Sequence, residues 1–147
     1  MIIRITKDTL SSIYLDALSI RQAVFVTEQQ VPLALEIDQD EAKSIHFVLY
    51  EQEKALATAR ILPKSDNIAK LQRMAVISSA RGCGMGAHLI NEIEQFCIAN
   101  QFQEITLGAQ LSAQGFYQSL GYLPVGPTFI DAGIEHITMH KQLLNQK

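Results

Sequence analysis

Cysteine is scarce in this chain of 147 residues, with only Cys83 and Cys97. Their spacing matches no metal-binding pattern and supports no disulfide framework, so a reducing, cytoplasmic setting is expected. Basic residues are also few: 12 lysines and arginines against 15 aspartates and glutamates, a net charge of −3. A nucleic-acid binder would carry a basic footprint, so that class is excluded, although a local basic pocket for one small anion is not. No apolar run approaches the roughly 18 residues of a membrane span, and Met1 to Asp8 contain no signal-type apolar core. Repeats, low-complexity tracts and linkers are missing too. With 48% apolar and 18% charged residues, the composition is globular. The length suits a single domain, residues 1–147.

What is present is an alternation of strand and helix patterns. Ile2–Thr6 is a β-branched run and reads as a strand. Leu10, Ile13, Tyr14, Ala17, Leu18, Val24 and Phe25 then recur at helical spacing, which predicts an amphipathic helix capped by Asp8 or Thr9. Residues 28–41 hold Pro32 and five carboxylates and are expected to form a loop with one short helix. Strands are predicted over 44–50, 55–62 and 68–76. Their short polar connections imply antiparallel pairing. A helix with the apolar stripe Leu89, Ile90, Ile93, Phe96 and Cys97 runs to about Asn100. If that helix is a crossover, the strand over 105–109 lies parallel to 68–76. A short helix over 113–120, ended by Gly121, and strands over 122–125 and 136–140 complete the chain. The expected fold is α/β or α+β: a mixed, mostly antiparallel sheet of about six or seven strands flanked by helices.

The most informative segment is Arg81-Gly82-Cys83-Gly84-Met85-Gly86, between a predicted strand and a predicted helix. Its glycines allow tight turns and close approach of a ligand. The first amides of the helix have no internal partners, and the helix dipole favours an anion there. Arg81 could add a charge-assisted contact to a pyrophosphate. A ligand-free glycine turn gives the same pattern. So does a dinucleotide fingerprint through Gly82, Gly84 and Ala87, but the acidic residue expected about 20 positions later is missing, since that strand ends in Ala109-Gln110. A nucleoside-triphosphate loop fails because no Gly-Lys-Ser/Thr follows.

Arg81-x-x-Gly84-x-Gly86 resembles the pyrophosphate signature of the GNAT superfamily of acyl-CoA N-acyltransferases, and it follows the strand ending Met74-Ala75-Val76 as it does in that family. Phe116-Tyr117-x-x-x-Gly121-Tyr122 is similar to the family's F-Y-x-x-x-G-F segment, with Tyr122 in place of the last Phe. Arg21-x-x-Val24-Phe25-Val26-x-Glu28-Gln29-x-Val31-Pro32, then Glu36-x-Asp38-x-x-Glu41, and Gly133-Ile134-x-His136-Ile137-x-Met139 resemble the ElaA/YjcF-like subgroup. The resemblance covers roughly residues 15 to 142. It implies a sheet in which two parallel strands splay apart at the cofactor, with acetyl-CoA as cosubstrate and no metal.

On that resemblance the cofactor-binding set is the backbone of Met74, Ala75 and Val76, the loop Arg81, Gly82, Cys83, Gly84, Met85, Gly86 and Ala87, and Gln110 and Phe116. Acetyl transfer to an amine needs a positioned thioester, a donor to the developing oxyanion and removal of a proton from the amine. Tyr117 is the candidate acid for the leaving thiolate, since a phenol holds its proton at neutral pH; packing beside Phe116 is the plainer role. Glu28, Glu36, Asp38 and His136 are candidates for the base. Glu36 and His136 are assigned to catalysis, and Glu28 and Asp38 to binding the acceptor. The carboxylates between Glu36 and Glu41 also hint at a cationic acceptor. They form no EF-hand, because Lys43 and Leu49 fall where glycine and glutamate are required. Cys83 is expected to contribute its amide and Cys97 to be core. The implied reaction is transfer of an acetyl group to a primary amine of a small molecule or peptide, with a non-catalytic acyl-CoA sensor as the alternative. No nucleic acid or membrane partner is expected, and a homodimer is allowed.

Overall fold

A computed structural model of the protein describes residues 1–143. Strand β1 (Ile2–Thr6) leads into helix α1 (Ser12–Arg21), which widens into a π-helical turn over Gln22–Glu28. The helix cap is Ser11, whose side chain accepts from the Tyr14 amide at 3.2 Å, not Asp8 or Thr9 as the spacing suggested. Asp8 is diverted into a turn of its own, its Oδ1 accepting from the Leu10 amide at 2.8 Å. Leu10 is thereby left outside the helix and exposed. Helix α2 (Leu33–Glu36) is a single turn after Pro32.

Strands β2 (Ile45–Glu51), β3 (Lys54–Pro63) and β4 (Ile68–Val76) form the antiparallel meander. Helix α3 (Met85–Ala99) then crosses over to β5 (Glu104–Gln110), which pairs parallel to β4. Helix α4 (Gln114–Ser119) precedes the hairpin of β6 (Leu123–Asp131) and β7 (Ile134–Gln142). The sheet has seven strands in the order β1-β2-β3-β4-β5-β7-β6, with β4–β5 its parallel pair. The last two strands are longer than the sequence pattern implied. Strand β6 carries Pro124 and Pro127, but it is an edge strand, where a missing amide is tolerated, and a register shift between Val125 and Thr128 accommodates the Gly126-Pro127 step. Among the described residues no helix is long and apolar enough to cross a membrane.

Alternation along β2 divides the core between the two faces of the sheet. Phe47 and Leu49 join Ile61, Leu89, Ile90, Ile93 and Ile105 on the α3 side. Val48 points the other way, to Ala17, Ile20 and Val24 of the α1 side.

Two irregularities prepare the site. Thr58 pairs with Ala75 but Arg60 pairs with Gln72, so Arg73 and Met74 together oppose Ala59 in a bulge of β4. Arg73 sits there at φ +55, a left-handed conformation that costs a non-glycine residue on the order of 1 kcal/mol. Beyond the bulge the parallel pairing is gone: β4 and β5 are in register only over Ile68–Leu71 and Glu104–Leu107. The ends of the two strands separate, and the cleft between them is the cofactor-type opening expected of the fold.

Candidate active site

A cavity of about 900 Å³ occupies this opening. One end is the glycine loop. Gly82 and Gly84 have φ +82 and +79, values that L side chains adopt only under strain. Gly86 is required for a different reason: a Cβ there would lie 3.2 Å from Met74 Cε and 3.3 Å from the Phe116 ring. Gly84 is the N-cap of α3, and the His88 amide bonds back to its carbonyl at 3.0 Å. The amides before His88 form the open, positive end of the helix on the cavity rim.

Met74, Ala75, Val76, Gln110, Phe116 and Tyr117 line the same cavity, as do all the assigned loop residues except Cys83. Cys83 is exposed and its thiol donates to the Ala80 carbonyl at 2.9 Å. Arg81 is less available than its motif position suggested. Its Nε donates to the Val76 carbonyl at 2.9 Å, and its two other nitrogens grip both oxygens of Glu28 at 2.9 and 2.7 Å. Those bonds hold the Glu28 carboxyl below its ordinary range. Glu28, assigned to the acceptor, is therefore a partner of the loop arginine and does not line the cavity.

Tyr117 is buried, packed edge-on against Phe116 and Tyr122 at 5.0 and 5.9 Å between ring centres. Burial pushes its phenol up from the ordinary value of 10, so the proton stays on. Tyr117 lines the cavity, and its hydroxyl forms no hydrogen bond among the described residues. His136 lines the same cavity, its ring stacked on Phe129 with centres 5.6 Å apart and planes at 22°. Its Nδ1 is 2.7 Å from the Ile134 carbonyl. A carbonyl only accepts, so in the neutral ring Nδ1 carries the hydrogen and Nε2 keeps its lone pair.

The acidic segment belongs mostly to the interior. Arg21 and Arg60 are each 1% exposed. Arg21 donates to Glu36 at 2.7 Å and to both oxygens of Glu41 at 2.8 and 2.9 Å. Arg60 donates to Glu41 at 2.8 Å and to both oxygens of Asp38 at 3.1 and 2.8 Å. Arg73 reaches Glu36 at 3.3 Å and Asp38 at 3.1 Å, which ties the bulge of β4 to the α2 segment. Burial would raise Glu41, but the hydrogen bond from Arg21, then that from the Asp38 amide and the charges of both arginines, hold it well below the carboxylate range. Asp38 is likewise lowered by Arg60 against its burial. It does not line the cavity, so its assignment to the acceptor gives way to an anchoring role. Glu36 does line it, and there burial wins over the arginines and raises the carboxyl. Its Oε2 is already shared by Arg21 and Arg73.

Several wall residues carried no site signal in the sequence. Val24 and Phe25 read as packing positions, Val31 and Ile134 only as parts of motifs, and Leu35, Phe129 and Asp131 as unremarked chain. Gln29 was quoted only as part of a motif; its carboxamide pairs with that of Gln110 across the cavity, at 3.0 and 3.5 Å. Among the described residues no group of three His, Cys, Asp or Glu side chains could hold a metal.

Known proteins share both the sequence and the shape. Bacillus subtilis YjcF, described as an uncharacterized N-acetyltransferase, is 38% identical over 127 residues, 86% of this chain and 90% of that protein. The crystal structure of Escherichia coli ElaA superposes with a TM-score of 0.85 at 31% identity, covering 97% of this chain and all of that one. An aminoglycoside 6'-N-acetyltransferase complexed with coenzyme A has a TM-score of 0.74 over the whole of this chain and 99% of that one; at 19% identity the likeness is one of fold. The acetyltransferase (GNAT) domain matches residues 11–143, and with the splayed strands and the glycine loop it places the chain in the GNAT acetyltransferase family, as an acyltransferase.

Proposed function

We propose that the protein transfers an acetyl group from acetyl-CoA to a primary amine by direct attack within a ternary complex. The carrying observation is that the splayed ends of β4 and β5, the open N-terminus of α3, Tyr117 and His136 all border one cavity. A coenzyme A pyrophosphate suits the loop: the positive φ of Gly82 and Gly84 and the close approach at Gly86 leave a cradle that side chains would fill. Acetyl-CoA supplies the activated acetyl group. Amides of Met74 to Val76, left without a parallel partner beyond Leu71, are the donors we assign to the carbonyl oxygen. His136 Nε2 takes the proton that the attacking nitrogen loses. The Tyr117 hydroxyl donates to the sulfur as the carbon–sulfur bond breaks. Glu36, raised by burial, is the second candidate base lining the cavity.

Calorimetry tests the cofactor assignment directly. Gly86→Val, which drives methyl groups toward Met74 and Phe116, should weaken acetyl-CoA binding at least tenfold while circular dichroism shows the fold intact. Unchanged affinity in the folded variant would remove the loop from the site.

A further inference from the structure

The cavity wall away from the glycine loop bears on what accepts the acetyl group. We infer that the acceptor is a small primary monoamine carried on an apolar body, a conclusion that rests on the acetyl-transfer reading above.

Electrostatics argue against a polycation. The carboxylates of Glu36, Asp38 and Glu41, which in the sequence looked like a lure for cations, are held by Arg21, Arg60 and Arg73 inside the fold. The charged side chains that do border the cavity are Lys70, Arg73 and Arg81 against Glu36 and Asp131, so the walls are not anionic. Glu36 is shared by two arginines, whereas Asp131 forms no ion pair among the described residues. One exposed carboxylate is suited to guide one ammonium. Arg73 and Arg81 are already neutralised by Glu36, Asp38 and Glu28, so a further positive charge would meet Lys70 and find no second free carboxylate among the described wall residues.

The shape of the wall supplies the other half. Leu35 and Phe129 both line the cavity, yet they are 54% and 40% exposed, so apolar surface there is left for a ligand to cover. Phe129 is not a loose side chain. One side of its ring stacks on His136, and its edge lies over Gly108, where a Cβ would come within 3.1 Å of the ring. Only glycine at 108 leaves that floor open. Phe129 and Asp131 are two apart on β6 and so share a face, and His136 is the cross-strand partner of Phe129. An apolar body lying on Phe129 therefore has its amine beside His136, with Asp131 one step along the strand.

The test measures coenzyme A release by the full chain with acetyl-CoA and four probes: phenethylamine, hexylamine, spermidine and kanamycin. The two monoamines are expected to show kcat/KM at least tenfold above the two polycations. Phe129→Ser should raise KM for phenethylamine about tenfold with KM for acetyl-CoA unchanged, and Asp131→Asn should raise it severalfold. Higher kcat/KM for spermidine or kanamycin would overturn the acceptor class and leave acetyl transfer standing. No acetylation of any probe by protein that binds acetyl-CoA in the calorimeter would overturn both.

Discussion

Tyr117→Phe is expected to lower turnover by about 10²-fold or more, with little change in the Michaelis constant for acetyl-CoA. The substitution keeps the ring, its edge-on contacts with Phe116 and Tyr122 and its place in the core. It removes one hydroxyl that bonds to no described group, so stability should change by less than about 1 kcal/mol. The effect on rate has a physical basis in the burial of the phenol. A raised phenol remains protonated throughout the working range, so a donor always faces the sulfur. The same shift makes full proton transfer to a thiolate more costly, by about 1.4 kcal/mol for each pKa unit of mismatch. In the proposed mechanism Tyr117 therefore contributes mainly as a hydrogen-bond donor to developing charge, a role whose removal typically costs 10²–10³-fold. Near-wild-type turnover in the variant would assign that proton to water. Solvent viscosity is varied first, because slow product release conceals the chemical step.

Glu41→Ala should be the most destabilising single change in the acidic segment. Its carboxylate accepts from Arg21, Arg60, the Tyr14 hydroxyl and the Asp38 amide. Alanine leaves two buried guanidinium groups with one partner fewer each, a class of change that costs about 3–5 kcal/mol. Against a total of about 5–15 kcal/mol for a domain, this is a large fraction. Urea denaturation should show a lower midpoint at unchanged slope. A loss below about 1 kcal/mol would mean that water reaches the network and screens it.

The network also fixes how the fold responds to acid. Glu41 is depressed, so its contribution is present above its ordinary value of 4.5 and is lost as pH falls through the folded one. His46, whose Nε2 lies 2.9 Å from the Glu41 carbonyl, is lowered chiefly by burial. It favours the fold while neutral, and its contribution declines as pH drops below the ordinary 6.5. Glu36, raised, acts in the opposite sense and offsets part of the loss in acid. The wild-type protein should thus begin to lose stability below pH 6.5 and lose it faster below 4.5. Glu41→Ala should lack most of the second phase.

Local chemistry made much of this protein legible in its sequence. The meander, the crossover helix and the glycine loop depend on neighbours a few residues apart: alternation for β2 to β4, a 3.6-residue stripe for α3, and φ tolerance at Gly82 and Gly84. The family resemblance was legible for the same reason, since its motifs lie on those local elements. The strand expected over 122–125 runs on to Asp131, since Pro127 would break a central strand but is tolerated at an edge, and edge position is not written in the local pattern.

The sequence by itself determined the order of the elements, the glycine loop before α3 and the inventory of groups that could do the chemistry. Tertiary structure alone decided which carboxylates remain available. The sequence pattern assigned Asp38 to the acceptor and could not reveal the pairing of Asp38 and Glu41, because their partners Arg21 and Arg60 lie on elements distant in the chain, and only the folded sheet brings them within 3 Å. Tertiary structure also placed Phe129 on His136 and brought Tyr117 to the same cavity, through contacts between strands and helices whose register no single segment encodes. Charge pairing and cavity shape are long-range properties of packing, whereas turn, helix and strand patterns are short-range properties of the chain.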